Sequence, residues 1–440
     1  MKLFSVIFLF VLALPAASWG QASAHSGATV VSLSVDEAVA EARQANPAIR
    51  AAVRRLSLAQ MKISTARSLD DPMLMVRDWD TPFRKPWDLN QAQLMVSLQQ
   101  TFPGKDKRDL RAKLAGDDAA VAADELESMR QEVEANVRKA CADLKRNADE
   151  MKLHDREESL MKEAVSAALA QYTTGKMPQS EVLRAQMALT RLSEHHIELE
   201  EERDTACAQL NALLGRRRED EIEIVGAYIT PVTLPSIEEL ERIAIEHRPE
   251  LSALRKQMAA SRDQGQLTRL AMKPDFTVAL GTMLMPTGSM ARAAYMAEVT
   301  MNLPQLNRAR HESEARQADT ATGVTSAELE ARTSTVFLEI RQAQIEVQAA
   351  LLRTKLYRDT LLPQADATFK ASTAAYQNNR AEFANLIDSQ NLLLDIQSAS
   401  YKALATADAG MAQLERAIGA PLPSTELPNA DRSTAERPSK

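Results

Sequence analysis

The chain predicts a mainly α fold with a small β part, each chain a tandem structural repeat. Three observations carry this. Glycine is scarce, at 13 of 440 residues, and aromatic residues make up only 4%, a balance that favours long helices over compact sheet domains. The sequence is written twice. Each copy also holds two short runs of alternating apolar and polar residues, too few to be the main fabric of the fold.

The first residues, MKLFSVIFLFVLALPAASWGQASAHS, have one basic residue, Lys2, then an apolar core from Leu3 to Leu14. Small residues follow at the spacing a signal peptidase uses: Ser18-Trp19-Gly20 and Ala22-Ser23-Ala24. Residues 1–24 therefore read as a secretory signal peptide, too short to span a membrane. Removing them takes the formal net charge from −7 to −8, because they hold Lys2 and no acid. An acidic chain with scattered bases argues against a nucleic-acid partner. No later segment has 18 consecutive apolar residues, so an exported chain without a helical anchor is left as a periplasmic or extracellular protein, or a β-barrel.

The duplication is visible as SVDEAVAEARQANPAIRAAVRR from Ser34 and SIEELERIAIEHRPELSALRKQ from Ser236, an offset of 202 that also relates Pro47 to Pro249 and Pro72 to Pro274. Further on the offset is 204, relating Tyr172 to Tyr376, Gln186 to Gln390 and Gly215 to Gly419. Both copies open with Ser-x-x-Glu, a capping box. The expected organisation is a first repeat over 34–218, a linker over 219–235, a second repeat over 236–420 and a disordered tail over 421–440. Each repeat begins with a helix of about 30 residues and continues through two strands into a very long helix, a turn and a returning helix. The hairpins are expected over 105–214 and 305–418, the second rod ending near Thr360.

The strands are expected at about 73–80, 92–102, 275–285 and 294–303. Leu94, Val96 and Leu98 alternate with Gln93, Ser97 and Gln99, Met95 being the exception. Phe276, Val278, Leu280 and Leu284 oppose Thr277, Ala279 and Gly281, while Tyr295, Ala297, Val299, Met301 and Leu303 oppose Met296, Glu298, Thr300 and Asn302. One apolar and one polar or small face is what a lipid-spanning barrel strand needs. Four strands cannot close a pore-sized barrel, so this reading requires a homo-oligomer. Phe102-Pro103-Gly104 marks the change from strand to helix, since proline suits a first helical turn. Leu303-Pro304 repeats the device, and basic residues follow both.

These features resemble the TolC-type outer-membrane efflux family: QQTFPGKDKRDLR, NLPQLNRAR, YTTGKMPQSEVLRAQ with LNALLG, and the duplication, together covering about 34–420. The resemblance implies a trimeric α-helical barrel continuous with a shared transmembrane β-barrel, in the outer membrane with the helical barrel in the periplasm. It implies an exit duct working with a periplasmic adaptor (membrane fusion) protein and an inner-membrane resistance-nodulation-division pump, in contact with outer-membrane lipid. The Phe-Pro-Gly-Lys junction is most similar to the heavy-metal branch, which exports ions such as cobalt, zinc, cadmium, copper or silver. Drug efflux and type I secretion are the alternative cargoes; a periplasmic coiled-coil adaptor or scaffold is the alternative class. Relatives carry acids after the Tyr-x-x-Gly turn that narrow the periplasmic end. Tyr172 and Tyr376 mark the two turns here, Glu181 and Asp388 match acidic positions, and Asn385 stands where some relatives have another acid.

No nucleophile–base constellation is visible, so no enzyme and no cofactor is expected. Met283, Met285, Met290, Met296 and Met301 crowd one stretch, but methionine is a common gap filler and Met301 falls on the predicted lipid face. His195 and His196 are adjacent and point apart on a helix, and no metal-ligand spacing appears, so no metal site is expected. Cys141 and Cys207 are centred on residue 174, in the first turn, which sets them at one height of an antiparallel hairpin as either a disulfide or two buried thiols.

Overall fold

The computed structural model describes residues 31–79, 93–216, 221–228, 234–285, 288–289, 293–378 and 380–422; the expected signal peptide, Met290 and nearly all of the expected tail lie outside them. The first repeat runs β1 (Val31–Ser34), α1 (Val35–Ala45), α2 (Pro47–Arg67), β2 (Met73–Trp79), β3 (Gln93–Phe102), α3 (Lys107–Thr173) and α4 (Gln179–Leu214). Then come β4 (Ile222–Val225), α5 (Ile237–His247), α6 (Pro249–Leu270), β5 (Phe276–Leu284) and β6 (Ala293–Met301). A 3₁₀ turn (Pro304–Asn307) leads into α7 (Arg308–Leu356), a π-helical turn (Tyr357–Leu361), α8 (Leu362–Gln377) and α9 (Phe383–Ile418).

The single opening helix expected in each repeat is divided in two. Asn46 and Arg248 precede Pro47 and Pro249, and a residue before proline is pushed out of the helical region. The Asn46 side chain caps the restarted helix by accepting from the Ala48 and Ile49 N–H groups. Ser34 and Glu37 form the expected capping box, while Ser236 accepts from the Glu239 N–H.

α3 is unbroken over 67 residues, a rod of about 100 Å at 1.5 Å per residue. The second rod does not end near Thr360. It continues through Pro363 to Gln377, because the π-helical turn precedes the proline and Pro363 sits in the first turn of α8, where its missing N–H is no loss. The stretch expected as a linker contributes β4, which pairs in parallel with β1 from Val31 opposite Ile222 to Ser34 opposite Val225. The other sheet is antiparallel in the order β2-β3-β5-β6, so one hairpin from each repeat makes one four-stranded sheet.

Helical hairpins of both repeats return to the same kind of joint. α4 and α9 end on left-handed glycines, Gly215 at φ 69° and Gly419 at φ 74°. A Cβ on Gly215 would lie 2.6 Å from the Ala45 carbonyl oxygen; one on Gly419 would lie 2.9 Å from that of His247. Beside each glycine the residue before the proline reaches across: Asn46 Nδ2 donates to the Leu213 carbonyl at 2.7 Å, and Arg248 Nη1 to that of Ala417 at 2.9 Å. Buried Arg248 needs countercharge, which Glu250 and Glu339 supply. Around these joints sit two cores, one built on Leu210, Leu214 and Val137, the other on Leu240, Ile340 and Leu414.

Cys141 and Cys207 do share one core, and both are buried free thiols. Of the two readings the structure has the free thiols, in keeping with packed helix axes about 8–10 Å apart, since a disulfide wants Cα atoms within about 7 Å. Burial pushes the Cys141 thiol up to about 12 and raises that of Cys207. A raised thiol holds its proton, so both groups resist alkylation near pH 8. Maleimide is expected to label neither in the folded protein and both after unfolding without reductant; failure to label the unfolded chain would restore the disulfide. Gly215→Ala forces a side chain into a left-handed residue against backbone, at a cost of about 1–3 kcal/mol. Thermal unfolding followed by circular dichroism should show a lower midpoint, and an unchanged one would contradict this account of the joint.

Candidate functional site

The four-stranded sheet has two unlike faces. Along aligned positions Leu74, Val76, Leu98, Leu280 and Val299 are 55–68% exposed, and Tyr295 is 99% exposed. The opposite face carries Arg77, Ser97, Gln99, Thr277, Glu298 and Thr300 together with methionines. Side chains alternate along a strand, so the two-residue period of the sequence sorts them this way. An apolar strip of this extent needs a cover, and among the described residues β2 and β6 each have one neighbour in the sheet. Among the described residues no helix is long and apolar enough to cross a membrane.

Where strand passes to helix, residues from both repeats interlock. Phe102 pairs with Phe276, and Phe276 with Met301, at the end of the ladders. Pro103 follows, and then Gly104, which is buried because a Cβ there would lie 2.8 Å from the Pro274 carbonyl oxygen. The Gly104 N–H donates to Asp275 Oδ1 at 2.6 Å, and Lys107 Nζ donates to the same oxygen at 2.8 Å and to the Lys273 carbonyl at 2.8 Å. Burial acts to raise the Asp275 carboxyl, but Lys107 and the Gly104 N–H outweigh it and hold the group below the usual range. Asp106, left-handed at φ 72°, receives Lys273 Nζ at 2.8 Å, and the Asp275 N–H donates to Asn302 Oδ1 at 2.7 Å. Leu303 stays exposed and Pro304 is buried at the start of the second rod.

Phe102, Pro103, Gly104, Leu303 and Pro304 thus lie where the strand ladders pass into the rods, and the polar clasp of Lys107, Asp275, Asp106 and Lys273 beside them has no counterpart in the sequence reading. A signal existed. Lys107 opens a helix, where the dipole disfavours a cation, and such a residue calls for a partner.

At the far end the hairpin tips share a third core, with Met177, Val182 and Leu192 of one repeat against Phe383, Ile387 and Leu394 of the other. Gly175, at φ 71°, makes the first turn. Tyr172 is exposed, whereas Tyr376 packs on Phe383 at 5.5 Å between ring centroids and its hydroxyl accepts from Gln171 Nε2 at 3.2 Å. Asn385 and Asp388, three apart on α9, lie together on its exposed side, opposite buried Phe383, Ala384 and Ile387. Glu181, which the offset of 204 relates to Asn385, is half-buried, and its Oε2 makes no hydrogen bond among the described residues.

Histidines come together midway along the first hairpin. His154 is buried, with its ring 4.4 Å from that of His195, and burial, followed by the charges of His195 and His196, lowers it to about 4. Even so, among the described residues no group of three or more His, Cys, Asp or Glu is placed to hold a metal ion.

The family model described as "Outer membrane efflux protein" matches residues 38–216. Over 388 residues the chain is 23% identical to the cobalt-zinc-cadmium resistance protein CzcC of Cupriavidus metallidurans, covering 86% of this chain and 89% of that one. Among solved structures it is similar to CusC, with TM-score 0.74 at 14% identity over 88% of this chain and 92% of that one. It is likewise similar to the CmeC outer membrane channel of Campylobacter jejuni, with TM-score 0.74 at 12% identity over 89% and 87%. These structural likenesses speak to the fold. Taken with the two-faced sheet and the duplicated rods, they make this chain similar to outer membrane efflux proteins over residues 38–216 and to outer-membrane channels in fold.

Proposed function

We propose that the protein is the outer-membrane exit channel of a tripartite efflux system, passively conducting heavy-metal cations outward from a periplasmic adaptor and an inner-membrane resistance-nodulation-division pump. The observation that carries this is the sheet, with its exposed apolar face and two open edges. Three copies pairing β2 to β6 would give a closed barrel of pore size, remove every edge and turn the apolar face to lipid. Large apolar residues left exposed on the rods, among them Met187, Ile197 and Leu352, give the copies a surface to share in the periplasm. Support for a metal cargo is the similarity to a protein named for cobalt-zinc-cadmium resistance.

In such an assembly the tips would form the periplasmic entrance, and threefold symmetry would turn exposed Asp388, with Asn385 beside it and Glu181 nearby, into rings around the axis. Single-channel recording tests this. Asp388→Ala is expected to raise conductance and weaken block by divalent cations; unchanged current and block would remove Asp388 from the entrance. Deleting the gene and measuring tolerance to Co, Zn, Cd, Cu, Ag and a set of drugs and dyes tests the cargo. Loss of tolerance to one metal group is expected, whereas sensitivity to drugs alone would overturn the metal assignment and leave an efflux channel.

A further inference from the structure

Two neighbouring rows of the sheet bring four methionines to one face. One row runs Met75, Ser97, Gly281, Met296 and the next Arg77, Met95, Met283, Ala294. Residues two apart on a strand share a face, so these side chains lie together, opposite exposed Leu74, Leu98 and Leu280. The middle of the first row holds two of the smallest residues, and Gly281 admits nothing larger, since a Cβ there would lie 2.3 Å from the Val96 carbonyl oxygen. Met95 and Met283 face each other one row away, and Met75 and Met296 flank the pair diagonally. Thioethers therefore surround the small-residue centre of the sheet.

A second observation falls on the same spot. Ser97 is 1% exposed, and its Oγ makes no hydrogen bond among the described residues. Leaving a buried hydroxyl unmet costs its full desolvation, and apolar neighbours do nothing for it. Met75 is already engaged: its sulfur accepts from Arg77 Nη2 and Gln99 Nε2, each at 3.3 Å. That holds the guanidinium at one edge and leaves Met95, Met283 and Met296, of which Met283 and Met296 are partly exposed. On the other side Glu298, two residues from Met296 on the same face, brings negative charge.

Thioether sulfur is a neutral, soft donor that selects monovalent d¹⁰ ions over hard ones. We infer that Met95, Met283 and Met296, with the Ser97 hydroxyl beneath them, form a binding site for a soft monovalent cation, copper(I) or silver(I). The three sulfurs come from one chain, so binding itself needs no partner copy. That the site meets cargo in transit rests on the channel reading, which it deepens by naming a cargo class. It also revises the expectation of no metal site, which rested on the absence of metal-ligand spacing and on reading the methionines from Met283 to Met301 as gap fillers. Met75 and Met95 join that cluster only through the register, and Met301 is excluded because it lies on the other face.

The test uses the full-length protein in detergent, titrated with silver nitrate in chloride-free buffer. Bound silver is counted after desalting, and X-ray absorption reads its sulfur neighbours. A Met95→Leu/Met283→Leu/Met296→Leu variant keeps the volume and removes the donors. It should lose affinity about tenfold or more, as losses of supporting groups around metals do, while Met301→Leu binds as the parent does. Equal silver binding by the triple variant, or no Ag–S scattering in the parent, would overturn the site. Potassium conductance in planar bilayers reads the channel separately. Pores that pass potassium but take up no silver would sink the site alone; silver bound by a protein that forms no pores would sink the channel alone. The triple variant should conduct potassium normally and lose block by silver, and normal block would count against the site.

Discussion

Asp275 Oδ1 accepts hydrogen bonds from Gly104 and from Lys107, and through them the first repeat is fastened to the second where sheet meets helices. Lys107 is an ammonium buried at a helix N-terminus, opposed by desolvation and by the dipole alike. It persists because a carboxylate and the Lys273 carbonyl surround it. The backbone is fitted just as closely, with a glycine where any side chain would meet Pro274. Because β3 and β5 are neighbours that both end at this clasp, their shared register, and hence which residues face outward, follows from it.

Away from the sheet the two repeats solve one packing problem with different chemistry. Each must stop a helix before a proline and seat the end of a returning hairpin beside the break. The first uses the Asn46 amide, which is neutral and needs one partner. The second uses Arg248, whose charge needs Glu250 and Glu339 as well. Both rely on a left-handed glycine, because only a residue without a Cβ lets the backbones approach so closely. The fold thus keeps geometry where the sequence has drifted.

Much of this was legible because it is periodic. Alternation fixed the two faces of β3, β5 and β6, and the offset between Tyr172 and Tyr376 located both tips. What escaped depends on contacts between distant segments or on local exceptions to rules. Pro363 reads as a helix end, yet a π-helical turn carries the rod past it. β4 is only four residues long and gains its identity from pairing with β1. Asp275 looks like an ordinary strand-flanking acid until Lys107 is placed beside it. Met95 stood out as an exception to its alternation, but its relation to Met283 lies in the pairing of strands more than 180 residues apart, which no local pattern records.

The π-helical turn also bears on how the duplication diverged. From Pro103 to Tyr172 is 69 steps along the chain, and from Pro304 to Tyr376 is 72, yet both arms must finish level, because Gln171 and Tyr376 are hydrogen-bonded at the tips. The longer arm opens with a 3₁₀ turn and carries the π-helical turn further on, a place where a helix absorbs added residues by widening instead of by bulging into a loop. Insertions in this lineage could therefore enter the middle of a rod without shifting what lies at either end of it. Length variation among descendants of such a gene duplication belongs as naturally inside its helices as in its loops.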